Sequence, residues 1–269
     1  MEPLKEYKIS PKWGEVGKNR PGRDAKPIAF TLEKAMEKVK HVSVEPPPLP
    51  PDWSEEERRI RLKRIFDHFA QQMGRDGYQY TEEVKPVLNQ MTNYFMGIDC
   101  GLDLKKGILL IGEPGRGKSL IMEIWAKALR AIAQPPHRYP EERAAFVFQR
   151  VAALVSDLQS EQKEAAYQVS KLWTRKVANP KVSGVKFHAC LDDIYKEEAE
   201  KLYKYGQNPM PEIYNARDKL LIRQGVITHA TSNYFPDEKQ MENYSEAMID
   251  RFYQMFNFVT LTGESFRRK

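Results

Sequence analysis

The chain has 269 residues, 41% hydrophobic and 30% charged, with a formal net charge of +6. This composition belongs to a globular protein with room for one sizeable domain and an extension, and no apolar run approaches the roughly 20 residues that span a bilayer. The opening "MEPLKEYKIS" lacks the apolar core of a secretory signal, which predicts a cytoplasmic protein with no membrane partner. Cys100 and Cys190 match no Cys-x-x-Cys spacing and no histidine clusters with them, which argues against a structural zinc site and reads as two small buried hydrophobes.

Residues 1 to about 27 are polar, with Pro and Gly and no hydrophobic period, and predict an arm without fixed structure. Lys5, Lys8, Lys12, Lys18, Arg20, Arg23 and Lys26 make it basic, and the chain closes on Arg267-Arg268-Lys269. Either end can meet phosphates or stand solvated. "FTLEKAMEKVKHV", from Phe30 to Val42, predicts a short amphipathic helix. The five prolines of "EPPPLPPDW" (Glu45 to Trp53) then forbid helix and predict a semi-rigid spacer. Residues 1–53 are therefore expected to be a flexible basic arm with one short helix and a proline-rich linker.

Asp52 or Ser54 is the predicted cap of a helix running to about Met73, with Leu62, Ile65, Phe66, Phe69, Ala70 and Met73 on one face and Arg58, Arg59, Arg61, Lys63 and Arg64 crowding its first half. A second helix is expected over about Thr81 to Met96, with Val84, Val87, Leu88, Met91 and Phe95 inward and Pro86 near its first turn. Residues 54–100 thus read as a helical extension packed on the body at 101–269. In that body, strands are expected at 107–112, 146–150, 185–191, 226–231 and 256–261, with helices at about 118–133, 151–177, 209–224 and 244–254. Strands alternating with helices imply a parallel sheet covered on both faces.

The chemistry starts in the first of those strands. "GILLIGEPGRGKSLIMEIW" runs from an apolar strand through Gly112-Glu113-Pro114-Gly115-Arg116-Gly117-Lys118-Ser119 and on through Leu120 along a helix, and the whole turn with Leu120 is expected to bind the nucleotide. This is G-x-x-x-x-G-K-[ST] in its required strand–helix setting. Glycines let backbone amides converge on phosphate oxygens, and the helix N-terminus favours the same anion. Lys118 is expected to reach the β- and γ-phosphates of ATP, and Ser119 to ligate Mg²⁺.

A phosphate cradle also needs a carboxylate at the end of a neighbouring strand. "GVKFHACLDD" supplies two: Asp192, the expected metal-side acid, and Asp193, expected to orient the attacking water. Two adjacent acids at a buried strand end are costly unless a positive charge meets them. The next strand, in "GVITHATSNYFP", ends in Thr231-Ser232-Asn233. That polar tip can bond water and phosphate, or can be an Asx turn before Pro236.

The order of these parts, followed by "MIDRF" (Met248 to Phe252) and "GESFR" (Gly263 to Arg267), resembles the AAA+ ATPases that load bacterial replicative helicases, of DnaC/DnaI type, and the related IstB-type transposition ATPases. The resemblance covers about Leu102 to Lys269 and also takes in Glu197, four residues after Asp193. It implies an α/β P-loop AAA+ fold with a five-stranded parallel sheet. It also implies Mg²⁺-dependent ATP hydrolysis as a switch, and self-association. Asn233 is then a sensor on the fourth strand, Arg251 an arginine finger serving a neighbouring subunit, and Arg267 a second sensor in its own chain. The implied partners are a replicative helicase, or a transposase in the IstB-like case, and single-stranded DNA. For DNA the resemblance points to the segment from Arg150 through Lys163, Tyr167, Lys171, Trp173, Arg175 and Lys176, whose mixed basic and aromatic residues suit single strands. A charged helix face over a core accounts for the same letters. A nucleotide-bound adaptor that does not hydrolyse is the remaining expectation. Asp193 departs from the Glu common in AAA+ enzymes, Tyr195-Lys196 replace the usual small residues, and the N-terminal region matches no known loader domain.

Overall fold

In the computed structural model the described residues are 52–73, 80–133, 138–160, 181–182, 185–186, 188–196, 208–236 and 244–265. The expected arm, the Phe30–Val42 helix, Glu197, Arg267 and the stretch from Lys163 to Lys176 lie outside them.

The first helix is α1 (Glu55–Met73), and of the two expected caps it is Ser54 that caps it. Ser54 N donates to Glu57 Oε2 at 2.8 Å while Glu57 N donates to Ser54 Oγ at 3.3 Å, so each residue satisfies the other's orphan amide. Leu62, Phe66 and Ala70 form its buried stripe. Helix α2 (Val84–Phe95) begins three residues later than expected, because the amides of Val84 and Lys85 both turn back onto Thr81 O. Pro86 therefore sits in the first helical turn, where its missing N–H costs nothing.

Five parallel strands form the sheet: β1 (Gly107–Ile111), β2 (Phe146–Arg150), β3 (His188–Asp192), β4 (Thr228–Ser232) and β5 (Phe256–Thr260), in the order β2-β3-β4-β1-β5. A separate antiparallel pair joins Lys181–Val182 to Val185–Lys186. Helices α3 (Lys118–Ile132), α4 (Pro140–Arg143), α5 (Val151–Ser160), α6 (Met210–Gln224) and α7 (Glu246–Met255) complete the body. The third strand starts at His188 rather than 185, since its pairing begins where Phe146 meets His188. The fourth starts at Thr228 rather than Val226. Gly225 (φ 64°) ends α6 in the left-handed conformation, and Val226 N still donates to Leu220 O as part of that cap.

All five β1 residues are buried because the strand is covered on both faces. Ile108 and Leu110 join a core with α1, α2 and α3, where Trp125 packs between Phe66 and Phe95 with ring centroids 4.6 and 4.9 Å away. Leu109 and Ile111 join a second core with Leu191, Ala230 and the apolar faces of α5, α6 and α7. The extension is also clamped by charge. Arg58 Nη1 lies 2.9 Å from Glu141 Oε2, and Arg61 Nη1 lies 3.4 Å from Glu142 Oε1, both acids on α4. The basic run of α1 is thus partly engaged inside the protein.

At the N-terminal end of the sheet, polar groups replace missing ladder partners. His188 Nδ1 accepts from Ile227 N at 2.8 Å, and His229 Nδ1 accepts from Ile108 N at 3.1 Å. Arg217 of α6 is fully buried and donates to Thr228 Oγ1 and Ile227 O. Burial pushes both imidazoles below their ordinary range, His188 to about 4. No helix among the described residues is long and apolar enough to cross a membrane.

Candidate functional site

Parallel pairing decides what meets at the other end of the sheet. Ile111 stands opposite Ser232, and Gly112 N donates to Ser232 O at 3.3 Å. The turn leaving β1 therefore lies against the residue that follows β4, Asn233. Gly112 has to be glycine: a Cβ there would sit 2.4 Å from Leu261 O, in the segment leaving β5. Gly117 starts α3 with φ 87°, a conformation that other residues rarely adopt.

Lys118 is 4% exposed and curls back into its own loop. Its Nζ donates to Gly112 O at 2.7 Å, to Glu113 O at 3.1 Å and to Asn233 Oδ1 at 2.8 Å. Three oxygens thus surround an ammonium in a glycine-lined turn at a helix N-terminus, an arrangement suited to exchange for phosphate oxygens. Arg116 bridges the flank of the loop, with Nη2 at 2.6 Å from Glu113 Oε2 and Nη1 donating to Leu261 O at 3.2 Å. Ile121 N donates to Gly117 O at 2.9 Å, the first turn of the helix that carries Ser119 and Leu120.

Asp192 ends β3 beside this loop and is 2% exposed. Burial raises its pKa, and the nearby Thr231 and Ser119 hydroxyls oppose that rise, as does the charge of Arg150, its register partner on β2. Thr231 Oγ1 donates to Asp192 Oδ1 at 2.7 Å and accepts from Asp193 N at 2.9 Å. Asp193 follows with φ 58°, so the chain leaves the strand through a left-handed turn. A buried carboxylate beside a serine hydroxyl at a phosphate loop is a hard-oxygen donor set of the kind Mg²⁺ takes, with phosphate and water completing its shell. Among the described residues there is no cluster of three or more His, Cys, Asp or Glu.

The structure therefore brings together Gly112, Lys118, Ser119, Asp192 and Asn233. Arg251 stands apart, on α7. Its Nη1 donates to Asn215 Oδ1 and its Nε lies 3.6 Å from Asp218 Oδ2, both on α6, and its side chain is 38% exposed. The polar tip Thr231-Ser232-Asn233 lies beside the acids, as neighbouring strands require, but sequence reasoning did not single out Thr231 as their partner and missed Asn215 and Asp218 as partners of Arg251. The first had a signal: Thr231 and Asn233, two apart, share one face of a strand.

No family model matches the chain, and no curated protein matches it in sequence. Solved structures similar to it include AMPPCP-bound DnaA from Aquifex aeolicus, at 13% identity over 71% of this chain and 50% of that one, with a TM-score of 0.45. A DnaC helicase loader shares 14% identity over 70% of this chain and 95% of its own, with a TM-score of 0.40, and DnaI shares 15% over 75% and 92%, with a TM-score of 0.39. This chain spans about half the length of the DnaA structure. With the glycine loop on β1, the acid pair at the end of β3, the polar tip of β4 between them and the parallel order β2-β3-β4-β1-β5, the chain has an α/β P-loop fold.

Proposed function

We propose that this protein is a Mg²⁺-dependent ATPase of the replication machinery that uses its nucleotide state as a switch while delivering a replicative helicase. The observation that carries the ATPase reading is the Lys118 ammonium held by two loop carbonyls and Asn233, next to the Ser119–Asp192 pair. Lys118 would exchange those oxygens for β- and γ-phosphate oxygens while the amides of residues 113–119 close around them. Ser119 and Asp192 would hold Mg²⁺, which supplies positive charge to the same phosphates when bound. Asp193 orients the attacking water, and Asn233, already on Lys118, contacts water and γ-phosphate without changing charge. Arg251 completes the site of a neighbouring copy, and Arg267 reaches the phosphate within its own chain.

The helicase-loading part rests on the sequence resemblance over Leu102 to Lys269, together with a basic arm and a basic, aromatic segment after β2 suited to single-stranded DNA. Calorimetry of full-length protein tests the nucleotide site. Lys118→Ala should weaken ATP–Mg²⁺ binding about tenfold or more, about 1.4 kcal/mol. Equal affinity in the variant would overturn the assignment.

A further inference from the structure

Thr231 is a fully buried threonine in the middle of a parallel sheet, where valine would fill the same volume without a hydroxyl to satisfy. Its hydroxyl and its carbonyl both go to the acid turn at the end of β3. The hydroxyl donates to Asp192 Oδ1 at 2.7 Å and accepts from Asp193 N at 2.9 Å, and its carbonyl accepts from Ile194 N at 2.9 Å. Three consecutive residues of one strand end are thus tied to one residue of the next strand. The turn so held is unusual, since Asp193 and Tyr195 both have positive φ, 58° and 72°, without being glycine. Continued strand geometry would send Asp192 and Asp193 to opposite faces of the sheet, and a left-handed residue immediately after Asp192 breaks that alternation. Two residues on, just past β4, Asn233 accepts from Lys118 Nζ at 2.8 Å. One strand tip therefore grips the acids with Thr231 and the loop lysine with Asn233.

We propose that Thr231 is the positioning residue of this site: its hydroxyl orients the Asp192 carboxylate toward Ser119 and holds Asp193 in the left-handed turn that sets the second acid. This rests on reading the glycine loop as an ATP–Mg²⁺ site. Thr231 is fully buried and acts through the two acids, as partners behind metal ligands do.

The test uses full-length protein, a fluorescent ATP analogue titrated in EDTA and in Mg²⁺, steady-state turnover of ATP, and thermal melting. Thr231→Val keeps the shape and removes the hydroxyl. It should bind the analogue in EDTA as the wild type does, lose most of the extra affinity that Mg²⁺ confers, and lower kcat about tenfold or more with little change in KM. Thr231→Ser should restore most of both. If Thr231→Val does not fold, Thr231→Ser against Thr231→Ala isolates the hydroxyl, with only the serine retaining the Mg²⁺ increment. An unchanged kcat and Mg²⁺ increment in Thr231→Val, or serine and alanine variants impaired alike, would overturn the role. A wild type that neither binds the analogue nor turns over ATP would instead overturn the phosphate-site reading, and the positioning role with it.

Discussion

Asp192 and Asp193 are chain neighbours in different surroundings. Asp192 is buried, hydrogen-bonded to the Thr231 hydroxyl and faced by Arg150 across the β2–β3 pairing. Asp193 is half-buried and sits in a left-handed turn with its amide on Thr231. Asparagine at 192 keeps the shape but removes the charge that would hold a cation, so Asp192→Asn should lower Mg²⁺-dependent nucleotide affinity about tenfold or more. Asp193→Asn tolerates the positive φ equally well. It should leave that affinity within about twofold and cut turnover about a hundredfold, the loss expected of a missing general base. Titration of a fluorescent ATP analogue beside a phosphate-release assay separates the two. Wild-type turnover in both variants would place the metal carboxylate elsewhere.

The α1–α4 contact and the histidine end of the sheet carry the predictions at the level of elements. Glu141 is 2% exposed, burial raises its pKa, and Arg58 is its ion partner at 2.9 Å. Arg58→Ala strands that carboxylate and should destabilise the protein by about 2–4 kcal/mol in urea unfolding. Arg64→Ala, at an exposed position of the same helix, should stay within about 0.5 kcal/mol. At the sheet's N-terminal end, His188 and His229 each accept a backbone N–H through Nδ1, which only the neutral ring can do. Their pKa values fall on folding, so the unfolded chain binds more protons. Stability is fully present above about 6.5 and declines as pH falls toward about 4, the value to which burial lowers His188. Thermal melting from pH 7 to pH 4 should show this decline, worth about 2–3 kcal/mol for His188 alone. His188→Asn, whose Oδ1 can accept where Nδ1 does, should flatten the profile.

At the scale of the molecule, the question is whether one copy suffices. Arg251 is anchored to Asn215 and Asp218 of α6, and its side chain is 38% exposed, a geometry that suits presentation to a neighbour. If it serves the neighbour's nucleotide, Arg251→Ala should bind ATP nearly normally and hydrolyse it at least about a hundredfold more slowly, because a guanidinium finger acts chiefly on transition-state charge. Mixing Arg251→Ala with Lys118→Ala then restores some interfaces where an intact loop meets an intact arginine. ATPase activity should reappear on mixing and rise with protein concentration and with single-stranded DNA. Co-assembly without recovery would withdraw the shared-site switch. The N-terminal arm belongs to the same scale. Removing residues 1–50 should leave ATP affinity unchanged and abolish co-purification with a replicative helicase, and retained co-purification would remove the arm from partner binding.

The sequence by itself determined the elements and the loop, since both rest on local rules. Ile108 to Ile111 is apolar without a break because both faces of β1 are covered, and Gly112 to Ser119 carries its chemistry in consecutive residues. All five strands of the sheet, and the first two helices, are legible in this way to within a few residues. Boundaries were less so where a helix cap reached into a strand, as at Gly225–Val226, or where pairing alone set the start, as at His188. Only the tertiary structure decided which polar residues meet. Lys118 and Asn233 are 115 residues apart in the chain, and Asp192 and Thr231 are 39 apart, yet each pair is in hydrogen-bond contact. Strand order and register create those contacts, and no local period encodes either. The same holds for the histidine bonds at the far end of the sheet and for the Arg251 anchor. Each depends on two elements distant in sequence being packed side by side, where burial leaves a polar group no partner but the one the fold supplies.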